Sequence, residues 1–241
     1  MKRPVQILLL ALSGIGLLHA ALFTDLYLRY VKEGLRPLLI ASGVLLLLLA
    51  LAGAALDNAH MGEPDHAHGH DHSTAPRTAW LLFIPALSLL CYAPPALGAY
   101  TAARSNNKPA RERKEFDPLP ATSPLPMTLT DFTSRVQRDR GLAIKGRTVQ
   151  MTGFATPAGQ GGWYLTRIIF TCCAADSQSV KVRMHGTEAP PANTWLAVTG
   201  AWHPKGTLGT PTAEAALDVR STKRISPPVN AYTDDLPLTP S

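Results

Sequence analysis

Cysteine is scarce in this chain, and its few copies are badly placed for bridging. There are three in 241 residues, two of them adjacent. Neighbouring cysteines close only a small strained ring, which excludes a disulfide framework as the organising principle. Reduced thiols suit a cytosolic face; a metal-bound or transiently bridged pair outside the cell is the alternative. Cys91 lies inside an apolar segment and reads as a small buried hydrophobe. Charge is also short, at 17% of residues, and unevenly spread. Residues 1–103 carry six basic and six acidic side chains, whereas 104–241 carry seventeen and eleven, so the net charge of +6 resides in the second part. A glycine-rich phosphate cradle is missing, and so is the spaced Cys/His/Asn set of a thiol nucleophile. Gly159-Gln160-Gly161-Gly162 reads instead as a hairpin turn before Trp163. These absences point away from an enzyme.

Long apolar runs are what the first part does have. About 20 apolar residues at 1.5 Å each cross roughly 30 Å of hydrocarbon. Three segments qualify: about Val5–Phe23, Pro37–Leu56 and Thr78–Tyr100. Gly14, Gly16 and Ala20 give the first a face that another helix can approach closely. Pro85, Pro94 and Pro95 predict that the third kinks against a neighbour. His19, at the edge of the first span, reads as an interfacial side chain. Residues 1–103 are thus expected to form a three-span membrane domain.

Five of the eight histidines fall in the loop 57–77 between the second and third spans: His60, His66, His68, His70 and His72. Neutral imidazoles bind borderline divalent cations such as zinc. The i, i+2 spacing from His66 to His72 places four of them on one side of an extended chain. Gly62, Pro64 and Gly69 make that chain adaptable, so weak, pH-dependent binding is expected. The competing reading is a solvated loop that merely gains charge in acid. Basic residues beside the spans set orientation. Lys2, Arg3 and Arg77 lie on one side; Arg29, Lys32, Arg36, Arg104, Lys108, Arg111, Arg113 and Lys114 lie on the other. The balance predicts a multi-pass plasma-membrane protein with its tail domain cytoplasmic, its basic cluster near anionic lipid heads. Lys2-Arg3 ahead of an apolar run is the opposing signal, since it resembles a signal-peptide start.

Residues 104–127 read as a basic, proline-rich linker. Over 128–226 the pattern predicts a short helix and then a small barrel. Leu129, Phe132 and Val136 recur at helical spacing, with Thr130 or Asp131 as cap and Gly141 as stop. Period-two segments follow at Arg147–Ala155, Trp163–Thr171, Ser179–His185, Trp195–His203 and Ala213–Lys223. Five short strands in about eighty residues suggest the OB type. Val149-Gln-Met-Thr-Gly153 and Leu196-Ala-Val-Thr-Gly200 repeat a pattern whose glycine suits a sharply curved strand. Residues 227–241 read as a disordered tail. No nucleic-acid partner is expected, because the domain lacks the electrostatic footprint.

The densest chemistry is Arg167-Ile-Ile-Phe-Thr-Cys172-Cys173-Ala-Ala-Asp176. Adjacent side chains on a strand point to opposite faces, so both thiols meet one ion only where the strand has ended or bulged. One thiol inward and one outward is the expected arrangement. Asp176 joins the outward thiol if a turn begins at Ala174, and His185 or His203 are candidates from neighbouring strands. Thiolate, carboxylate and imidazole form a zinc set. Packed cysteines followed by a turn-forming Asp-Ser are the alternative.

Taken together, Lys145-Gly146-Arg147-x-Val149-x-Met151-x-Gly153-Phe154, Tyr164-x-x-Arg167-Ile168-Ile169-x-x-Cys172-Cys173-Ala174-Ala175-Asp176 and Trp195-x-x-Val198-x-Gly200 resemble an uncharacterised bacterial family of permease subunits. Its members are small membrane proteins with spans flanking a His-rich loop and a C-terminal OB-like domain of unknown function, typically encoded beside a multi-pass permease. The resemblance implies partnership with such a permease and makes Gly153, Phe154, Arg167, Trp195 and Gly200 part of the domain's characteristic face. Ser177-Gln178-Ser179 departs from the glycine or proline usual after the Asp. The function expected is an accessory subunit of a permease that handles or senses a divalent metal such as zinc. A stand-alone membrane metal-binding or metal-sensing protein is the alternative, and a thiol redox protein a third reading.

Overall fold

The computed structural model describes residues 3–60, 96–105 and 116–236. These form two compact units. The first contains two long helices, α1 (Arg3–Leu22) and α2 (Arg36–His60). Their apolar stretches, Pro4–Leu22 and Glu33–Leu56, are 19 and 24 residues long, enough by length and composition to cross a membrane. The two pack where side chains are absent. A Cβ on Gly14 would lie 2.9 Å from the Gly43 carbonyl, and one on Gly43 would meet Leu18 at 2.8 Å. Gly16, expected on the same close face, has nothing within 4 Å. The Arg36 guanidinium closes the end of α1 by donating to the Ala21 carbonyl at 2.8 Å. Leu8, Leu12, Leu45, Leu48 and Leu51 are among the large apolar side chains left exposed.

The third expected span lies mostly outside the described residues, as do Cys91 and the loop carrying His66, His68, His70 and His72; His60 ends α2. The span does not run to Tyr100 as one helix. Leu97 and Gly98 are non-helical, and a new short helix, α3 (Ala99–Arg104), starts after them with Ala99 and Ala102 buried. Residues from Leu97 onward belong to the second unit, and so do Leu28–Lys32, which lie between α1 and α2 in the chain. The expected boundary at 103 is therefore too late, and it misses the connector.

The second unit is built on a mixed six-stranded sheet: β1 (Leu125–Pro126), β2 (Thr148–Ala158), β3 (Gly162–Ile169), β4 (Gln178–His185), β5 (Trp195–Trp202) and β6 (Ala216–Arg224). Its order is β1-β2-β3-β4-β6-β5, with β2 also pairing to β5. All pairings are antiparallel except β1–β2 and β4–β6. The two glycine repeats are antiparallel partners, Gly153 opposite Leu196 and Gly200 opposite Val149. Each glycine sits where another strand crowds in. A Cβ on Gly153 would lie 2.7 Å from the Thr166 carbonyl, and one on Gly200 would overlap that of Asp218. Trp163, Leu165, Met151, Val182, Val198 and Leu217 fill the interior.

The helix α4 (Leu129–Arg138) adds Leu129, Phe132 and Val136 to that core. Its cap is Thr128, which accepts from the Asp131 amide at 3.0 Å, rather than Thr130 or Asp131. Asp131 instead pairs with Arg135 at 3.0 Å, one turn on.

Neither flanking segment behaves as expected where it is described. Residues 116–127 are no free linker: Leu125 and Met127 are buried, and Arg135 donates to the Asp117 carbonyl at 2.8 Å. Residues 227–236 are no disordered tail. Tyr232 stacks on Phe170 at 4.3 Å, and the Asp234 carboxylate accepts from the Leu129 and Thr130 amides. The sequence pattern hid both because their anchoring is by scattered single contacts and the two-residue strand β1, not by a periodic face.

Gly153→Ala should destabilise the second unit by about 1–3 kcal/mol, since a methyl group has to displace backbone. Gly159→Ala, with nothing within 4 Å, is the control. Denaturant midpoints of the two full-length variants check this; equal midpoints would show that the Gly153 contact carries no stability.

Candidate functional site

The strand β3 ends at Ile169, three residues before the first thiol. Thr171 and Cys172 bend, Cys173 makes an isolated bridge, and Ala174–Asp176 form one turn of 3-10 helix. The Asp176 carboxylate causes this course. Its oxygens accept from the amides of Thr171 (2.9 Å), Cys172 (2.7 Å) and Cys173 (3.3 Å), using three consecutive donors that a continuing strand would need. With the strand ended, the rule that sends neighbouring side chains to opposite faces lapses. The Sγ atoms of Cys172 and Cys173 lie 3.7 Å apart. The ligand atoms of Cys172, Cys173 and Asp176 all lie within 4.8 Å of one another.

The expected split into one buried thiol and one outward thiol is thus wrong. Cys172 is exposed and Cys173 half-buried, and both stand beside the carboxylate. A turn does begin at Ala174, the condition for Asp176 to reach a thiol. His185 and His203 do not join. Their rings stack on each other at 4.1 Å, and the His203 Nδ1 is 2.7 Å from Asp218. Burial, with His203 and Arg183 adding to it, holds the His185 imidazole below its usual pKa.

A second set of partners was not legible in the sequence. The Tyr30 carbonyl accepts from the Ala174 amide at 2.8 Å, and the Lys32 amide donates to the Cys172 carbonyl at 2.9 Å. Val31 and Cys173 thereby form an antiparallel bridge. The connector between the two apolar helices is tied by its backbone to the thiol loop. No residue-type signal marks it, because the contact uses main chain alone.

The remaining motif residues build the domain. Phe154 faces Trp195 across the β2–β5 pairing, ring centroids 5.6 Å apart. The buried Arg167 guanidinium lies over the Trp195 ring at 4.8 Å and donates to the Thr152 carbonyl and hydroxyl at 3.0 and 2.9 Å. Asp234 lies 4.0 Å from it. Burial pushes the Asp234 carboxyl up, against the hydrogen bonds from Thr130 and the charge of Arg167.

Electrostatics keep the Cys172 thiol protonated. Hydrogen bonding to Asp176, and next to Cys173, pushes the Cys172 thiol up to about 11. The same Cys172 hydrogen bond, with the loop amides, holds the Asp176 carboxyl below its ordinary range against desolvation. A free thiol here is a poor nucleophile at neutral pH, because only the thiolate reacts. The donor set fits a metal: thiolate sulfur and carboxylate oxygen are both zinc ligands, and an arriving cation would supply the positive charge that favours deprotonation.

Asp176→Asn should let the Cys172 pKa fall towards the usual thiol range, about 8.5, and so raise its alkylation rate at pH 8 by up to about a hundredfold. Iodoacetamide labelling of the detergent-solubilised chain, read across pH, measures it. An unchanged profile would mean that Asp176 does not set the thiol's protonation.

No curated protein and no solved structure matches the chain. Residues 139–233, which run from just after α4 through β2 to β6 and on to Thr233 and contain the thiol loop, match the DUF1980 C-terminal domain, a domain of an uncharacterised family.

Proposed function

We propose that this protein is an integral accessory subunit of a multi-pass permease, and that it handles or senses a divalent cation of the zinc class at Cys172, Cys173 and Asp176. The observation that carries this reading is the backbone tie between that thiol loop and residues 30–32. A metal-ligand group attached to the turn between two membrane-length helices is well placed to report to, or receive from, a partner in the membrane. The domain itself we read as an OB-type barrel. Support comes from the ring β2-β3-β4-β6-β5, closed by β2–β5 and with β4–β6 its one parallel pairing.

The same tie supports a multi-pass topology. Residues 28–32 join α1 to α2 yet pack with the C-terminal unit. If both helices cross the membrane, the chain must cross back before Leu97, which is where the sequence expects its third span. Connector and C-terminal domain then share one face. The eight basic residues counted on that face favour the cytoplasm. The histidine loop would lie on the other face and serve as a separate, weaker gathering site.

A stand-alone membrane metal-binding protein is the second reading, favoured by the same ligand group taken without a partner. A thiol redox role is third, because the pair is reduced and the exposed thiol is largely protonated.

Mild detergent extraction of the tagged chain should bring down a multi-pass partner. A chain that purifies alone, with metal still bound, would favour the stand-alone reading. Orientation has its own test. Because Cys172 is exposed, a membrane-impermeant thiol reagent should leave it unlabelled in intact cells and label it after permeabilisation. Labelling in intact cells would place the domain outside.

A further inference from the structure

Resting on the reading of Cys172, Cys173 and Asp176 as a metal site, we infer that the site selects a tetrahedral divalent ion and leaves its fourth position open to a donor brought by another molecule. The sulfur separation decides the geometry. Two sulfurs at about 2.3 Å from a tetrahedral ion are about 3.8 Å apart, whereas a linear two-coordinate ion would hold them about 4.6 Å apart. The observed distance is 3.7 Å. The pair is already spaced for the tetrahedral case, and linear coordination, as a cuprous ion takes between two thiolates, would have to pry it open by almost 1 Å.

The third ligand is available without dismantling the loop. A carboxylate offers about four lone-pair directions. Of the amides, Oδ1 of Asp176 takes those of Thr171 and Cys173 and Oδ2 only that of Cys172, while the carboxylate's further hydrogen bond from the Cys172 thiol is given up when that thiol ionises to bind. Oδ2 therefore keeps one direction for an ion while all three amides stay bound. Charge agrees with the geometry: two thiolates and a carboxylate leave a divalent ion with one net negative charge and a monovalent ion with two. Hard cations such as calcium and magnesium are disfavoured because two of the three donors are sulfur.

Among the described residues no fourth donor stands beside the three. No other His, Cys, Asp or Glu joins the group there: the His185 and His203 rings stack on each other, away from it, and His203 bonds Asp218. Structural zinc sites are closed by four protein ligands, whereas sites that exchange or react keep a position open. Cys172 is exposed, so an incoming imidazole or thiolate can reach the ion. Such an arrangement suits hand-over of the ion more than its storage.

Cobalt(II), a coloured stand-in for zinc, tests this on the full chain in detergent, reduced and metal-stripped, with His66, His68, His70 and His72 replaced by Ala to silence the loop. One equivalent should give a sulfur-to-cobalt charge-transfer band and the intense visible bands of tetrahedral cobalt. These should shift when free imidazole is added and vanish on one equivalent of zinc. Cys172→Ser should remove most of the charge-transfer intensity; the unsubstituted thiol loop supplies the decisive spectrum even if that variant misfolds. Weak octahedral bands with charge transfer retained, bands indifferent to imidazole, or tight binding of cuprous ion alone would overturn the inference while leaving a thiol metal site standing. Absence of any sulfur-to-metal band with cobalt, zinc and cuprous ion, with both thiols titrating free, would overturn the site itself.

Discussion

A single carboxylate sets the course of the chain where its chemistry lies. Asp176 accepts from three consecutive amides, those of Thr171, Cys172 and Cys173. Those donors are spent within the loop, so β3 cannot continue. Two consequences follow from the one constraint. Both thiols come to the same side, and the carbonyl of Cys172 and the amide of Ala174 are left for a partner, which is the connector at Tyr30 and Lys32. Without the carboxylate, neither the sulfur pair nor the backbone tie has a reason to form. Charge-assisted hydrogen bonds of this kind are roughly twice as strong as neutral ones, which is why so short a loop can hold a defined shape.

The root of that loop is fixed from the other end of the chain. The Phe170 amide donates to the Tyr232 carbonyl, the two rings stack, and the Tyr232 hydroxyl donates to Leu97 at 3.0 Å. Two residues further, Asp234 caps the start of α4 and faces Arg167. Residues 230–234 thus act as a strap over the outer face of β2 and β3, together with Ala99 and Ala102 of α3. The aromatic face of Phe154 and Phe170 is covered here by the chain's own segments.

What the sequence made legible was what repeats. The apolar lengths of α1 and α2, the period-two strands and the paired V/L-x-x-T-G segments each announce themselves through spacing, and the observed strands lie within a few residues of those expected. What stayed hidden has no period. Asp234 meets Leu129 and Thr130 across more than a hundred residues, and nothing in Asp-Asp after a proline pair distinguishes a buried cap from a solvated tail. The thiol geometry was misjudged for a related reason. Strand alternation is a rule about regular backbone, and the residue that breaks the backbone, Asp176, lies beyond the thiols it brings together. Its carboxylate was read as a ligand or as a turn former, and neither reading places it as the acceptor of three amides behind it.

The motif residues shared with the resembling family then divide by what water can reach. Gly153 and Gly200 are defined by the backbone that crowds them, and Phe154, Arg167 and Trp195 by one another. Arg167 is 5% exposed, and inside the domain its guanidinium faces Asp234, Thr152 and the Trp195 ring. An ion or a partner cannot engage a group in that position without unmaking the packing around it, and a buried charge deprived of its partner is strongly destabilising. Cys172, Cys173 and Asp176 are different: they are the part of the motif that combines donor atoms with access to solvent. A motif of this composition therefore encodes a scaffold over most of its length and a solvent-reached, donor-bearing surface over five residues. The two are joined at Phe170, whose amide and ring tie the start of that surface to the strap.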